Sequence, residues 1–130
     1  MIKSRGTFLL PMILTLFILM LSVISIHGLG AASAVAYSSE AYGYSFNVDT
    51  VEEAEELARK MCAEHGGREI QILISTDQRG YGAIAVDGNV VGAVVGYPDL
   101  RSATARALSE CVRQGCKQPR IVATWFDRGY

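Results

Sequence analysis

The chain has 130 residues, half of them apolar, with a formal net charge of −1. That length holds one domain plus a targeting segment and excludes two independent cores. Residues 31–130 carry 10 Lys and Arg against 13 Asp and Glu, too mild a balance for nucleic acid and too acidic for an anionic membrane surface. The charge is uneven: residues 31–80 carry 4 basic and 9 acidic residues, residues 81–130 carry 6 and 4.

Lys3 and Arg5 precede an apolar run from Phe8 to Ile26, which gives way to the small residues Gly28 to Ala36. This pattern predicts export. Residues 1–31 read as a signal peptide or as an uncleaved N-terminal anchor over 7–30, a hydrophobic helix long enough to span a bilayer. Either reading puts the remainder outside the cytoplasm, secreted or in the cell envelope, and limits membrane contact to this segment.

A shift of 49 residues lays the rest of the chain on itself without a gap. Ser33-Ala34-Val35-Ala36-Tyr37 falls over Gly82-Ala83-Ile84-Ala85-Val86, Ala54 over Ala103, Ala58 over Ala107, Cys62 over Cys111 and Gly66 over Gly115. Residues 32–130 therefore read as a duplicated domain, copy one over 32–80 and copy two over 81–130. Cleavage after Ala36 would remove most of the first strand, so the repeat favours a cut near 30–32, or none.

Each copy reads as strand, strand, helix, strand. In copy two, Asp87-Gly88-Asn89 marks a hairpin between apolar runs; Ser38-Ser39-Glu40 is its weaker counterpart. Thr50 and Asp99 are helix N-caps. Ala54, Ala58 and Cys62 lie on one apolar helical stripe, Ala103, Ala107 and Cys111 on the other, and Gly66 and Gly115 end the helices. In the closing strands, alternation places Ile70, Ile72 and Ile74 on one face, and Ile121, Ala123 and Trp125 on the matching one. The predicted fold is α+β: two β-β-α-β repeats forming one antiparallel or mixed sheet, with two helices packed on it behind the N-terminal hydrophobic helix.

Of three cysteines, Cys111 and Cys116 flank the Gly115 helix end, where a Schellman turn brings them together, and a disulfide is expected. Cys62 occupies the equivalent helix position, but Gly67 stands where its partner would be. It reads as a buried thiol, with a reactive thiol as the alternative. The spacing points to no metal site, and no cofactor motif is present. His65 and the glutamates 52, 53, 55 and 56 sit where helix ends favour such charges, so no catalytic residue is assigned. Tyr42, Tyr44 and Phe46 alternate along one strand, and Tyr97, Trp125, Phe126 and Tyr130 add further aromatics. Core packing explains them by default. Exposed together, Tyr42, Tyr44, Tyr97, Trp125 and Phe126 would form a binding surface.

The strand Tyr81-Gly82-Ala83-Ile84-Ala85, the paired Ala41-Tyr42-Gly43-Tyr44-Ser45, and the two Ala-x3-Ala-x3-Cys helices resemble the small secreted bacterial family called domain of unknown function 4189, over roughly residues 32–130. The resemblance implies export and a cysteine pair at the helix end; it supplies no activity and no catalytic residue. Gly67 departs from the pattern. The expectation is a non-enzymatic binding module for an unidentified protein or envelope component, with no role for nucleic acid. The alternative is an envelope enzyme or inhibitor with a site between the two repeats, and a third reading is an envelope structural protein held by its N-terminal helix.

Overall fold

The computed structural model describes residues 30–128. The N-terminal hydrophobic segment and Tyr130 lie outside the described residues. The elements run β1 (Ala32–Tyr37), β2 (Tyr42–Val48), α1 (Val51–Glu64), β3 (Gln71–Thr76), β4 (Gly80–Asp87), β5 (Val90–Tyr97), α2 (Leu100–Gln114) and β6 (Arg120–Asp127). Strand, strand, helix, strand is thus the order in both halves.

Local chemistry sets the helix ends. Thr50 Oγ1 accepts from the Glu53 N–H at 3.2 Å, and Asp99 Oδ1 from the Ser102 N–H at 2.7 Å, each satisfying a donor that the first helical turn leaves free. Gly66 and Gly115 take φ of +93° and +117°. Behind them the N–H groups of Gly67 and Cys116 each reach back 2.9 Å to the carbonyls of Cys62 and Cys111. Both helices therefore end in Schellman turns.

The strands form two three-stranded antiparallel sheets, ordered β2-β1-β3 and β5-β4-β6. This corrects the expectation of one sheet. Ala32, Ala34 and Ala36 of β1 pack with Ala54, Ala58 and Cys62 of α1, while Ala83 and Ala85 of β4 pack with Ala103, Ala107 and Cys111 of α2. The opposite faces of the same strands present Val35, Ile84 and Val86 to a third cluster, completed by Val91, Ala93 and Trp125. The layers are therefore helix, sheet, sheet, helix. A central strand that is apolar on both faces needs a cover on each side, and a single sheet with both helices on one face would leave Val35 and Ile84 in water.

The closing strands need a second correction. Ile70 and Ile72 lie under α1, whereas Ile74 faces the other sheet; Ile121 lies under α2, whereas Ala123 and Trp125 face the other sheet. The register slips between Val35/Ile74 and Ala36/Ile72, and again between Ile84/Ala123 and Ala85/Ile121. Each slip adds one residue to the closing strand, Leu73 or Val122, and an extra residue moves the following side chains to the other face. Leu73 and Val122 are 49 residues apart.

Candidate binding grooves

The same 49-residue spacing relates two grooves, each between a hairpin's outer strand and the helix of its own half. The first, of about 390 Å³, is lined by Tyr44, Phe46, Val48, Leu57, Lys60, Met61 and Glu64 among others. The second, of about 310 Å³, is lined by Val91, Ala93, Tyr97, Arg106, Glu110 and Arg113, with Leu73 and Ile74 across from them. Leu57, Met61 and Glu64 of the first correspond to Arg106, Glu110 and Arg113 of the second.

The first groove is apolar. Phe46 and Leu57 are each 43% exposed although both are large and hydrophobic. Phe46 lies on an aromatic stack: its ring centroid is 6.4 Å from Tyr44 and 6.1 Å from Trp125, while Tyr44 and Trp125 are 5.2 Å apart with planes 12° from parallel. Side chains of α1 and of its C-terminal cap close the strand edge here. The Tyr44 N–H donates to Met61 Sδ at 3.3 Å, and His65 Nδ1 lies 3.3 Å from the Tyr42 carbonyl.

The second groove is polar at its rim. Glu110 pairs with both Arg106 and Arg113. Among the described residues no side chain bonds to the backbone of Val91 or Ala93, the counterparts of Tyr42 and Tyr44.

The five aromatics singled out from sequence do not share one surface. Tyr42, Tyr44 and Trp125 belong to the layer between the sheets, where Trp125 is only 5% exposed. Tyr97 packs with Tyr81 on the α2 side. Phe126 lies 4.7 Å from the Tyr81 ring, with the Arg79 guanidinium 5.5 Å above it, a cation–π contact. Phe46, absent from that set, is the aromatic most open to solvent in the stack. The alternation that picked out Tyr42 and Tyr44 also contained it.

Trp125 lies over Gly82, where a Cβ would meet its ring at 2.1 Å. Next to it Asp127 is wholly buried. Asp127 Oδ1 accepts from the Asn47 N–H, while Asp127 Oδ2, Ser33 Oγ and Trp125 Nε1 find no partner of good geometry. Burial, the larger effect, pushes the Asp127 carboxyl above its ordinary value; the Asn47 N–H, the Ser33 hydroxyl and the Trp125 indole pull the other way.

A third cavity, of about 240 Å³, lies at the seam of the halves. It is lined by Ser38, Ser39, Glu40, Tyr42 and His65 from the first and by Gly88, Asn89 and Val91 from the second. The Ser39 and Ser38 hydroxyls and the Arg68 N–H hold the Glu40 carboxyl below its ordinary value. A carboxylate made less basic in this way is a poor proton acceptor.

Cys111 and Cys116 form a disulfide with Cα atoms 5.2 Å apart, a bond suited to an oxidising compartment. Cys62 is a free, buried thiol, and burial raises its pKa above the ordinary value, which disfavours the reactive thiolate. Among the described residues no helix is long and apolar enough to cross a membrane.

Neither a curated protein nor a solved structure matches the chain. Residues 81–129, the second half with its disulfide, match the family model Domain of unknown function (DUF4189), and it is this family that the chain resembles.

Proposed function

We infer that the chain is an exported, non-enzymatic binding module, a duplicated domain whose first groove takes an apolar side chain of a partner protein. One observation carries this reading: Phe46 and Leu57, both large and open to solvent, line the same concavity, while charged Arg106 stands at the duplicate position of Leu57. Solvent-facing apolar residues gathered in a groove favour association, because water leaves both surfaces when they meet. The same helix exposes Glu52, Glu53, Glu56 and Glu64 against Arg59 and Lys60, an acidic excess that disfavours an anionic bilayer and favours a protein whose anchor is ringed by basic side chains.

The test places a photo-crosslinking amino acid at position 46, and as a control at exposed position 124, in the full-length chain expressed in its own cell envelope. The expected result is one discrete adduct from position 46, lost when Leu57→Arg is added and absent from position 124. No adduct, or the same adducts from both positions, would remove the groove from consideration.

The second reading, an enzyme or inhibitor with a site between the halves, has the seam cavity in its favour. It brings Glu40 and His65 into one concavity. Its two titratable groups are held by Arg68 and Tyr42 backbone contacts rather than by each other, so no acid–base couple is assembled there.

A further inference from the structure

We propose, on the reading that the first groove is a binding site, that its occupant is the α2 face of a second copy of this chain. Phe46 and Leu57 leave apolar surface open in the groove beside α1. On α2, Val112 is 54% exposed, the most open large apolar side chain among the described residues. It ends a stripe of exposed residues, Arg101, Ala105, Ser109 and Val112, spaced to lie along one side of the helix. The stripe carries no carboxylate.

The two helices are opposite in charge. α1 carries five Glu against Arg59 and Lys60, whereas α2 carries Arg101, Arg106 and Arg113 against Glu110 alone. The 49-residue shift sets Glu52 over Arg101 and Glu64 over Arg113, so the sign reverses at both ends of otherwise equivalent helices. The Glu110 side chain is 15% exposed and paired, while Arg106 and Arg113 beside it stay 52% and 71% exposed. Like faces repel, which disfavours α1 on α1 and α2 on α2 and leaves a head-to-tail contact.

Spacing along the helices fits the same contact. Glu53 and Glu64 flank Leu57 on the groove side of α1 and stand about 16 Å apart along the axis; Arg101 and Arg113 stand about 18 Å apart on α2. Both acids can therefore meet both bases at once. Between the bases the stripe holds Ala105, Ser109 and Val112, small enough for the helix to lie close over Phe46 and Leu57. Lys60 is the one base lining the groove, and its long stem can stay on the apolar surface while the ammonium turns to water. The helices form the two outer layers, on opposite sides of the molecule, so each copy can use both faces together.

The experiment uses the full-length chain in its own envelope with the photo-crosslinking amino acid at position 46. An adduct of twice the chain's mass is expected, joined to a peptide of α2. Glu53→Arg with Glu64→Arg makes both outer helices net basic, and Arg101→Glu with Arg113→Glu makes both net acidic. Either pair of substitutions alone should cut the adduct about tenfold or more. Co-expression of the two variants should restore it, because each then offers the other a face of opposite sign, and a loss of fold could not be repaired in this way. An adduct with any other protein, an adduct of twice the mass that ignores both reversals, or a loss that co-expression does not restore would overturn self-recognition and leave the groove a binding site. No adduct from position 46 would overturn both.

Discussion

The backbone N–H of Asn47 donates to the buried carboxylate of Asp127 at 2.5 Å, across 80 residues of sequence. Asn47 closes the outer strand of the first sheet and Asp127 ends the outer strand of the second, so the bond ties the halves together at one edge. Asp127→Ala leaves that N–H in a buried space without an acceptor, and should cost about 1–3 kcal/mol in denaturant unfolding. Asp127→Asn keeps an acceptor for Asn47 and should cost less.

The two variants also differ from the parent in pH dependence. The native Asp127 carboxyl is raised above its ordinary value, so between the unfolded and native values the folded chain binds more protons than the unfolded one. Its contribution to stability is then greatest in acid and falls as pH rises through that window. Asp127→Asn should flatten this segment of the stability–pH curve, measured by urea unfolding from pH 3 upward. An unchanged curve would mean that the carboxyl is not desolvated.

Gly67→Cys should supply the missing disulfide of the first half. An added Cβ at Gly67 would sit 2.6 Å from Cys62 Sγ, so Cys62 has to turn slightly as the bond forms. Both halves already share the Schellman turn that holds Cys111 and Cys116 together. Thiol titration of the unfolded, non-reduced protein should fall from one free cysteine to none. Closing so short a loop adds about 2 kcal/mol before any strain is counted.

Nearly everything set by neighbours in sequence was legible there: the Asp87-Gly88-Asn89 hairpin, the Thr50 and Asp99 caps, the Ala-x3-Ala-x3-Cys stripes and the Cys111–Cys116 bond. Each rests on contacts within about five residues of chain. The division into two sheets was not read, although Val35 and Ile84, apolar on the face away from the helices, hinted at a second cover. The side-switch at Leu73 and Val122 depends on a bulge that no composition signals. Asp127 and Asn47 meet only once the sheets stack. The contrast between the grooves was within reach, since setting Leu57 beside Arg106 and Met61 beside Glu110 needs only the 49-residue shift.

Gly43→Ala and Gly92→Ala should each destabilise strongly, because the helices lie directly on these glycines. A Cβ at Gly43 would sit 2.3 Å from the Ala58 carbonyl oxygen and the Cys62 nitrogen; at Gly92 it would sit 2.2 Å from the Cys111 nitrogen. All three are backbone atoms that cannot swing aside, and overpacking of this kind costs about 1–3 kcal/mol or more. Gly88→Ala is the control, since Gly88 has φ +58° and open space around it. It should show only the cost of left-handed backbone, about 1–2 kcal/mol, with no loss of helix–sheet contact in amide exchange.

Asn47 separates two contributions that usually come together. It adopts φ +54°, and its counterpart 49 residues on, Gly96, adopts +70°. The left-handed turn is thus common to both halves, but only Asn47 also bonds through its side chain, Oδ1 accepting from the Arg128 N–H at 2.9 Å and Nδ2 donating to the Phe126 carbonyl at 3.4 Å. Asn47→Gly keeps the turn and removes both bonds, so it should cost about 0.5–1.5 kcal/mol. Asn47→Ala loses them and meets the left-handed penalty as well, adding about 1–2 kcal/mol. Thermal unfolding of the pair should therefore rank parent, glycine, alanine. A glycine variant as stable as the parent would show that Asn47 is retained only for its backbone, and that the Asp127 contact alone holds this edge.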